Sequence, residues 1–208
     1  MAIPTVRGVS AAKEEGTTTV APTIPSGTAT GELMLACMAG SNVGAWSVSN
    51  QNGGAWAVAA TGDVGATTTT ANSTIWYDYY NGTQGTPTFN TPGNNGVGRI
   101  MTITGARSSD GPTFGGRGQD IDGGSSADTS CDFVSGITTT DNDCLIVVVG
   151  ASVDDSPTFG ATWTNGNVAS IVIQVSETTA NGNDSSIEVV TASLATAGAV
   201  GTFSNTLT

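Results

Sequence analysis

Two short apolar runs decide the fold class of this chain: "DNDCLIVVVGAS" at Asp141–Ser152 and "GELMLACMAG" at Gly31–Gly40. Each run is too short for a buried helix and too apolar for a strand that exposes one face to water. Such runs are typical of strands covered on both faces. The rest of the chain is polar and rich in Gly and Thr, which favours short strands and tight turns. We therefore predict an all-β protein with little helix.

The two runs also resemble each other. Leu145–Val148 follows Met34–Cys37 at a constant offset of 111 residues (145 − 34 = 111). After each run comes a strand pattern, an Asn-Gly turn and another strand pattern: "TIWYDYYNGTQGTPTF" in the first half and "IVIQVSETTANGNDSSIEVV" in the second. We expect two duplicated β units, each with one apolar central strand, packed into one core. The alternative, that any two strands of a Thr-rich protein look alike, stays open.

The length of 208 residues predicts a single domain, residues 1–208. The Gly/Asp/Ser loop 106–130 is the expected boundary between the halves, and residues 1–19 are a first strand or an N-terminal arm. The stretch "NVGAWSVSNQNGGAWAVAATGD" alternates apolar and polar residues around an Asn-Gly-Gly turn, which predicts a hairpin. Period-2 alternation places each of these three sets on one strand face: Ile75, Tyr77 and Tyr79; Met101 and Ile103; Ile171, Ile173 and Val175.

The charge balance argues against two classes of partner. The formal net charge is −12, with only five basic residues. Nucleic-acid binding requires a basic surface that neutralises phosphates, and anionic membranes repel an acidic protein. We expect neither nucleic acid nor membrane as a partner.

The three cysteines, Cys37, Cys131 and Cys144, form no CxxC pair, and their odd number argues against a disulfide framework. Cys37 and Cys144 lie in the apolar runs and are expected in the core. The N-terminus has no apolar segment of the kind that secretory signals carry, which indicates synthesis in a cytoplasm.

Residue chemistry leaves little room for catalysis. The chain has no histidine, which removes Ser-His-Asp and Cys-His nucleophilic sites. The remaining acids include Glu177, Glu188 and Asp78, and a glycosidase requires two such carboxyls across a cleft. Solvated strand-face acids are the simpler interpretation, so we expect no enzyme activity and no cofactor.

The sequence offers two candidate binding sites, one for calcium and one for a sugar, and each has a simpler alternative interpretation. Calcium needs several oxygen ligands from one loop, and Asp120, Asp122, Asp128 and Asp132 supply them, although a solvated acidic loop explains the same residues. Trp46 and Trp56 are candidates for stacking on a sugar, against the alternative that they close the margin of the core.

The order of motifs carries a family resemblance. "PTVRGV" (Pro4–Val9) precedes "PTIPSGTATGELMLA" (Pro22–Ala36), then "WYDYY" (Trp76–Tyr80) and "RIMTITGAR" (Arg99–Arg107). The second half restarts with "ITTTDNDCLIVVVGA" (Ile137–Ala151). Over nearly the whole chain this resembles tailed-bacteriophage virion proteins with jelly-roll-like antiparallel β-sandwich folds.

The resemblance implies a non-enzymatic structural protein on the outer surface of the virion head. The expected role is a capsid decoration (cement) protein that stabilises the head, with the major capsid protein and sister subunits of a homotrimer as partners. A tail, fibre or host-recognition component and a carbohydrate-binding β-sandwich module are the alternatives. Residues expected to contact the shell or a sister subunit lie in the N-terminal segment and the long loop: Ile3, Val6, Arg7, Val9, Arg107, Phe114 and Arg117.

Overall fold

A computed structural model describes residues 2–11, 13–15, 18–41, 44–63, 71–93, 95–107, 130–134, 136–153, 159–179 and 185–206. These residues form fourteen β-strands and no helix, which confirms the predicted all-β class. The strands are β1 (Thr5–Val9), β2 (Lys13–Glu15), β3 (Thr19–Val20), β4 (Leu33–Ser41), β5 (Ser47–Asn50), β6 (Ala57–Asp63), β7 (Ala71–Tyr79), β8 (Thr88–Asn90), β9 (Gly96–Thr104), β10 (Ser130–Val134), β11 (Cys144–Val153), β12 (Ala169–Thr178), β13 (Ser185–Leu194) and β14 (Thr202–Thr206).

The first apolar run forms the middle of the larger principal sheet. The strands lie in the order β1-β9-β4-β7-β6, all antiparallel, with β2 also paired to β9. Leu35 of β4 lies opposite Tyr77 on one side and Met101 on the other. Every residue of β4 is buried, as expected of a strand covered on both faces.

The smaller principal sheet has the order β11-β13-β12 and packs face to face on the larger one. Alternate residues of β4, such as Leu35 and Cys37, meet Ile187 and Val189 of β13 in a central core between the two sheets. This packing of two antiparallel sheets is a β-sandwich. The predicted inward positions Met101 and Ile103 also lie in the central core, as do Ile75, Tyr77 and Tyr79 at its margin.

Two small sheets cover the outer faces of the sandwich. The sheet β3-β8-β5 covers the larger principal sheet and closes the N-terminal outer core, which contains Met34, Met38 and Phe89. The pair β10-β14 covers the smaller principal sheet and closes the C-terminal outer core, which contains Val190 and Phe203. The fold therefore has four layers, two from each half of the chain.

The second apolar run does not take the place predicted for it. Among the described strands, β11 pairs with β13 alone and stands at the end of the described sheet, whereas β4 lies between two neighbours. The central strand of the C-terminal half is β13, which is buried on both faces through Ile187 and Val189 on one side and Val190 on the other. Each half therefore contributes an apolar central strand. In the C-terminal half this strand is β13, and not β11, whose sequence resembles that of β4.

Two further local predictions were wrong. Asn52 and Gly53 form the expected turn with positive φ angles of 45° and 85°, but β5 pairs with β8 and β6 with β7, so no hairpin forms. In β12, a β-bulge between Ile173 and Val175 places them on opposite faces. Ile173 packs in the C-terminal outer core and Val175 in the central core. An inserted residue reverses the alternation on which the prediction depended.

The sheets also bear on two predictions of topology. Jelly-roll connectivity is not confirmed, because each principal sheet is built from one half of the chain. The N-terminal segment forms β1 and β2 on the chain's own β9. Most of the predicted boundary loop, residues 108–129, lies outside the described residues.

Candidate interaction surfaces

The edge of the larger sheet brings together most of the residues predicted to make contacts. Ile3, Val6, Arg7 and Val9 lie on or next to β1, and Arg107 follows β9 at the same end, since Thr5 lies opposite Thr104. Val9 packs against the central core, while Arg7 and Arg107 are exposed. Phe114 and Arg117 lie outside the described residues.

Both described arginines of this edge are already paired. Arg7 Nε lies 2.5 Å from Glu32 Oε1, and the Ala29 amide donates to Glu32 Oε2 at 2.8 Å. Burial raises the pKa of Glu32, but these hydrogen bonds and the charge of Arg7 outweigh burial, so the pKa lies below its ordinary value. Arg107 lies 3.6 Å from Asp141 in an exposed pair that joins the two halves.

A second ion pair crosses the sandwich itself. Arg99 of β9 donates through Nη2 to Glu177 Oε1 of β12 and through Nη1 to the Ser10 carbonyl oxygen. Arg99 lies opposite Cys37 and therefore points toward the central core, where burial lowers its pKa. The pair closes the margin of the central core between the two sheets.

The acids weighed as a catalytic pair do not meet. Glu177 lies opposite Ile187 on the central-core face, whereas Glu188 lies on the other face of the sheet. Glu188 is 1% exposed and accepts a hydrogen bond of 2.6 Å from Trp163 Nε1. Burial raises the pKa of Glu188, although the bonds from Trp163 and Ser176 oppose that shift.

Asp78 holds a loop junction together. Its carboxylate accepts hydrogen bonds from the Ala55 amide at 2.7 Å, the Tyr79 amide at 2.7 Å and Gln84 Nε2 at 2.6 Å. Gln84 in turn accepts from the Asn81 amide at 2.7 Å. The network fixes the turn 51–56 and the loop 80–86 against each other, and sequence reasoning had placed Asp78 on a strand face without this role.

Beside this junction lies a shallow groove of about 310 Å³ between the turn 23–28 and the loop 80–86. Its lining includes Tyr80, Gln84, Thr23, Ser26 and Thr28, and none of the described lining residues is charged. Backbone bonds pin Tyr80 on both sides, from its amide to the Glu32 carbonyl and from the Gly31 amide to its own carbonyl. The groove was not predicted, because its residues are typical of any polar turn.

The two tryptophans predicted as sugar platforms lie in the core. Trp46 is 4% and Trp56 5% exposed, and both belong to the N-terminal outer core. Trp56 packs edge-on against Phe89 with ring centroids 5.6 Å apart. Neither ring offers an exposed face to a sugar, so the alternative that they close the core is the one the structure shows.

Three of the predicted calcium ligands, Asp120, Asp122 and Asp128, lie outside the described residues. The fourth, Asp132, lies exposed on β10. In the described part of the chain, no group of three or more acidic, Cys or His side chains is arranged to hold a metal ion. Cys37 is fully buried in the central core, as predicted, and burial raises its pKa to about 12. Cys144 is only half-buried: it packs against the C-terminal outer core, and its Sγ donates to the Asp141 carbonyl oxygen. The described residues include no helix long and apolar enough to cross a membrane.

Comparison with known proteins identifies no relative: no family model, curated protein or solved structure matches the chain.

Proposed function

We propose that this chain is a non-enzymatic structural protein of a virion, and specifically a capsid decoration protein that stabilises a phage head from its outer surface. The observation that supports the proposal most is the β1 edge, where Ile3, Val6, Arg7 and Arg107 come together on one exposed margin of the larger sheet. The motif order from Pro4 to Ala151 supports it as a resemblance.

A decoration protein strengthens a shell by burying surface across the junctions between shell subunits. Many modest contacts then add to the free energy of disassembly, because the protein binds the assembled shell and not its separated parts. A rigid, layered β body with exposed sheet edges suits this role, since edge strands offer main-chain groups for pairing. Homotrimers at three-fold positions of the shell are the proposed assembly.

The experiment for this assembly is size-exclusion chromatography with light scattering, with and without EDTA. A trimer unaffected by EDTA supports the proposal and places its contacts in protein surface. A monomer contradicts preassembly and favours a tail or fibre component. A trimer that dissociates in EDTA points to the acidic loop residues Asp120, Asp122 and Asp128 as calcium ligands.

The groove beside Tyr80 favours a second candidate function, a carbohydrate-binding module. A lining that combines a tyrosine with Ser and Thr residues and no charged residue matches the chemistry of a neutral sugar better than that of an ion. Saturation-transfer NMR with glucose, galactose and N-acetylglucosamine tests it. Binding that is lost in Tyr80→Ala and kept in Tyr79→Phe supports the module, and no transfer from any of the three sugars contradicts it.

A further inference from the structure

The strands of the two halves pair in a corresponding order. In the N-terminal half β4 pairs with β7 and β7 with β6, and in the C-terminal half β11 pairs with β13 and β13 with β12. The outer layers correspond as well, because β3 and β5 both pair with β8, just as β10 and the single residue Thr164 both pair with β14. Each of these C-terminal elements therefore has a counterpart in the N-terminal half.

Glycines in β4 and β11 extend the correspondence to single residues. Gly40 lies opposite Asn72 of β7, and Gly150 lies opposite Glu188 of β13. Both glycines face an outer core, where a Cβ added to either one would meet an aromatic ring, at 3.1 Å in the first half and 2.8 Å in the second. Asn72 and Glu188 are both buried. The same place in the two halves thus holds a neutral amide in one and a carboxyl in the other.

Tryptophans of the outer layers correspond in the same way. Trp46 directly precedes the residue that pairs with Asn90 of β8, and Trp163 directly precedes the residue that pairs with Ser204 of β14. Both tryptophans are buried in the outer core of their own half. Glu188 therefore lies beneath the counterpart of a cover that the N-terminal half builds over an amide.

The cover over Glu188 consists of the segment 159–164 together with β10 and β14, and we name it the C-terminal cover. The amides of Gly160 and Thr164 donate to carbonyl oxygens of β14 at 2.7 and 3.0 Å, which holds the segment to that strand. Trp163 Nε1 donates to Glu188 Oε2 at 2.6 Å, which ties the cover to β13 beneath it. The carboxyl thus lies at the contact between the cover and the smaller principal sheet.

The elements packed around Glu188 bring no other described carboxyl to its face. Glu177 of β12 points into the central core, and Asp132 of β10 is exposed beside Phe133, which packs in the outer core. Cys144 packs against the same outer core but lies six residues before the glycine of β11. The remaining residues of β13, β14 and the segment 159–164 include no titratable side chain. Glu188 therefore titrates without a described acid facing it.

A charge on Glu188 would depend mainly on hydrogen bonds for its stabilisation. No Lys, Arg or His follows Arg117 in the sequence, and Arg99 donates to Glu177 on the other face of the sheet. The hydrogen-bond partners of the Glu188 carboxyl are Trp163 and Ser176. Burial raises the pKa of Glu188 in spite of these two bonds, so the closed cover favours the neutral carboxyl.

We propose that Glu188 is a pH-sensitive switch that holds the C-terminal cover closed while it is protonated and opens the cover when it ionises. Opening lets water reach the carboxylate, which repays the cost of keeping a charge beneath Phe159 and Trp163. The N-terminal half, with Asn72 at the corresponding place, has no such dependence on pH. The switch does not depend on the proposed role in a virion.

Titration of the Glu188 carboxyl by carbon-13 NMR is the first test. Because the closed cover favours the neutral form, we expect the carboxyl to titrate above its ordinary pKa of 4.5. A pKa at or below 4.5 would overturn the proposal. This measurement uses the unaltered chain, so its result does not depend on whether any variant folds.

Amide hydrogen exchange shows whether the cover opens as Glu188 ionises. Protection factors, which remove the intrinsic effect of pH on exchange, are compared for Gly160 and Thr164 of the cover and for Thr91 beside β8. Protection of the first two should fall by up to about tenfold per pH unit above 4.5 and level off past the folded-state pKa of Glu188. Protection of Thr91 should stay constant. Constant protection at all three amides, or an equal fall at all three, contradicts the switch.

Two matched variants of neighbouring acids assign the effect to one carboxyl. Glu188→Gln should remove the pH dependence of protection at Gly160, because an amide does not titrate but its oxygen still accepts from Trp163. Glu177→Gln, which changes the next residue type of the same kind on the other face of the sheet, should retain the pH dependence. Retention of the pH dependence in Glu188→Gln would overturn the proposal.

Asn72→Asp tests the correspondence of the two halves from the other side. At low pH the protonated carboxyl can donate to the Gly44 carbonyl oxygen, as the Asn72 amide does, so the cover of the N-terminal half should stay closed. As the pH rises, protection of the Thr91 amide should fall in this variant, as protection of Gly160 does in the wild type. Protection of Thr91 that stays constant in the folded variant would contradict the proposed switch.

Discussion

Arg99 and Glu177 form an ion pair that joins the two principal sheets of the sandwich across the margin of their shared core. Arg99 comes from β9 in the N-terminal half and Glu177 from β12 in the C-terminal half. Both side chains are largely but not fully buried, with 19% and 29% exposed. The pair is therefore screened less than a surface salt bridge such as Arg107–Asp141, and it adds an ionic contact to the apolar core that the two sheets share.

Removing either partner should destabilise the fold. Arg99→Met leaves the Glu177 carboxylate partly buried without its cation. Glu177→Gln leaves the Arg99 guanidinium partly buried without its anion. We expect each to lower the free energy of unfolding by about 1–2 kcal/mol, below the cost for a fully buried pair. Urea unfolding of both single variants and the double variant measures this. A double variant as costly as the sum of the two would show that the residues do not interact.

Glu188 should make stability fall as pH rises. Burial raises its pKa above the ordinary value of 4.5, so the folded state binds a proton more tightly than the unfolded state. Its contribution is complete below about pH 4.5 and is lost as pH rises through the folded-state pKa. We expect Glu188→Gln to gain stability relative to wild type as the pH rises above 4.5, because the variant has no titrating carboxyl and its amide oxygen still accepts from Trp163.

Glu32 serves as a control, because its contribution to stability should depend on pH in the opposite direction. Its pKa is lowered, so its contribution is present above pH 4.5 and is lost as pH falls through the folded-state value. On acidification, the stability of wild type minus that of Glu32→Gln should therefore fall, whereas the stability of wild type minus that of Glu188→Gln should rise. The same trend in both variants would contradict the assignments.

Gly98 is required by the close approach of Met38. A Cβ at position 98 would lie 2.1 Å from Met38 Sδ and 3.2 Å from the Cys37 carbonyl oxygen. Gly98→Ala should cost about 1–3 kcal/mol of stability through overpacking, and Gly98→Ala with Met38→Ala should cost less than the sum of the two single changes, because the smaller side chain removes the clash. Gly166→Ala, which meets no atom within 4 Å, is the matched control and should change stability little. Denaturant midpoints compare the four variants.

Asp78→Asn should disrupt the junction that supports the groove. The carboxylate accepts from three N–H groups, and an amide replaces one acceptor oxygen with a donor that faces them. We expect a loss of about 2–3 kcal/mol, because a buried donor is left unsatisfied. Asp141→Asn, at a side chain 63% exposed, should cost less than about 0.5 kcal/mol. Equal effects in thermal unfolding would show that the Asp78 network contributes nothing.

The sequence predicted what local patterns determine. The apolar run at β4 and the alternation along β7 identified strands, faces and the central core, because burial on both faces or on one face leaves a direct trace in residue order. Which strand pairs with which leaves no such trace in the residue order. For that reason the turn at Asn52-Gly53 was placed correctly while the pairing of β5 and β6 was not.

The surfaces were harder to predict than the core. The bulge beside Gln174 reverses the faces of β12 without any change in composition. Trp46 and Trp56 were weighed as surface residues because tryptophan serves both cores and ligand sites. Their burial depends on the small sheet β3-β8-β5, whose short strands carry almost no pattern.

The position of the chain in a virion tests the central claim most directly. If the chain is a phage protein as proposed, gold-labelled antibody against it, viewed by electron microscopy on intact phage particles, reports that position. The account predicts label distributed over the outer surface of the head in many copies per particle. Label confined to the tail, or absent from the particle, would contradict it.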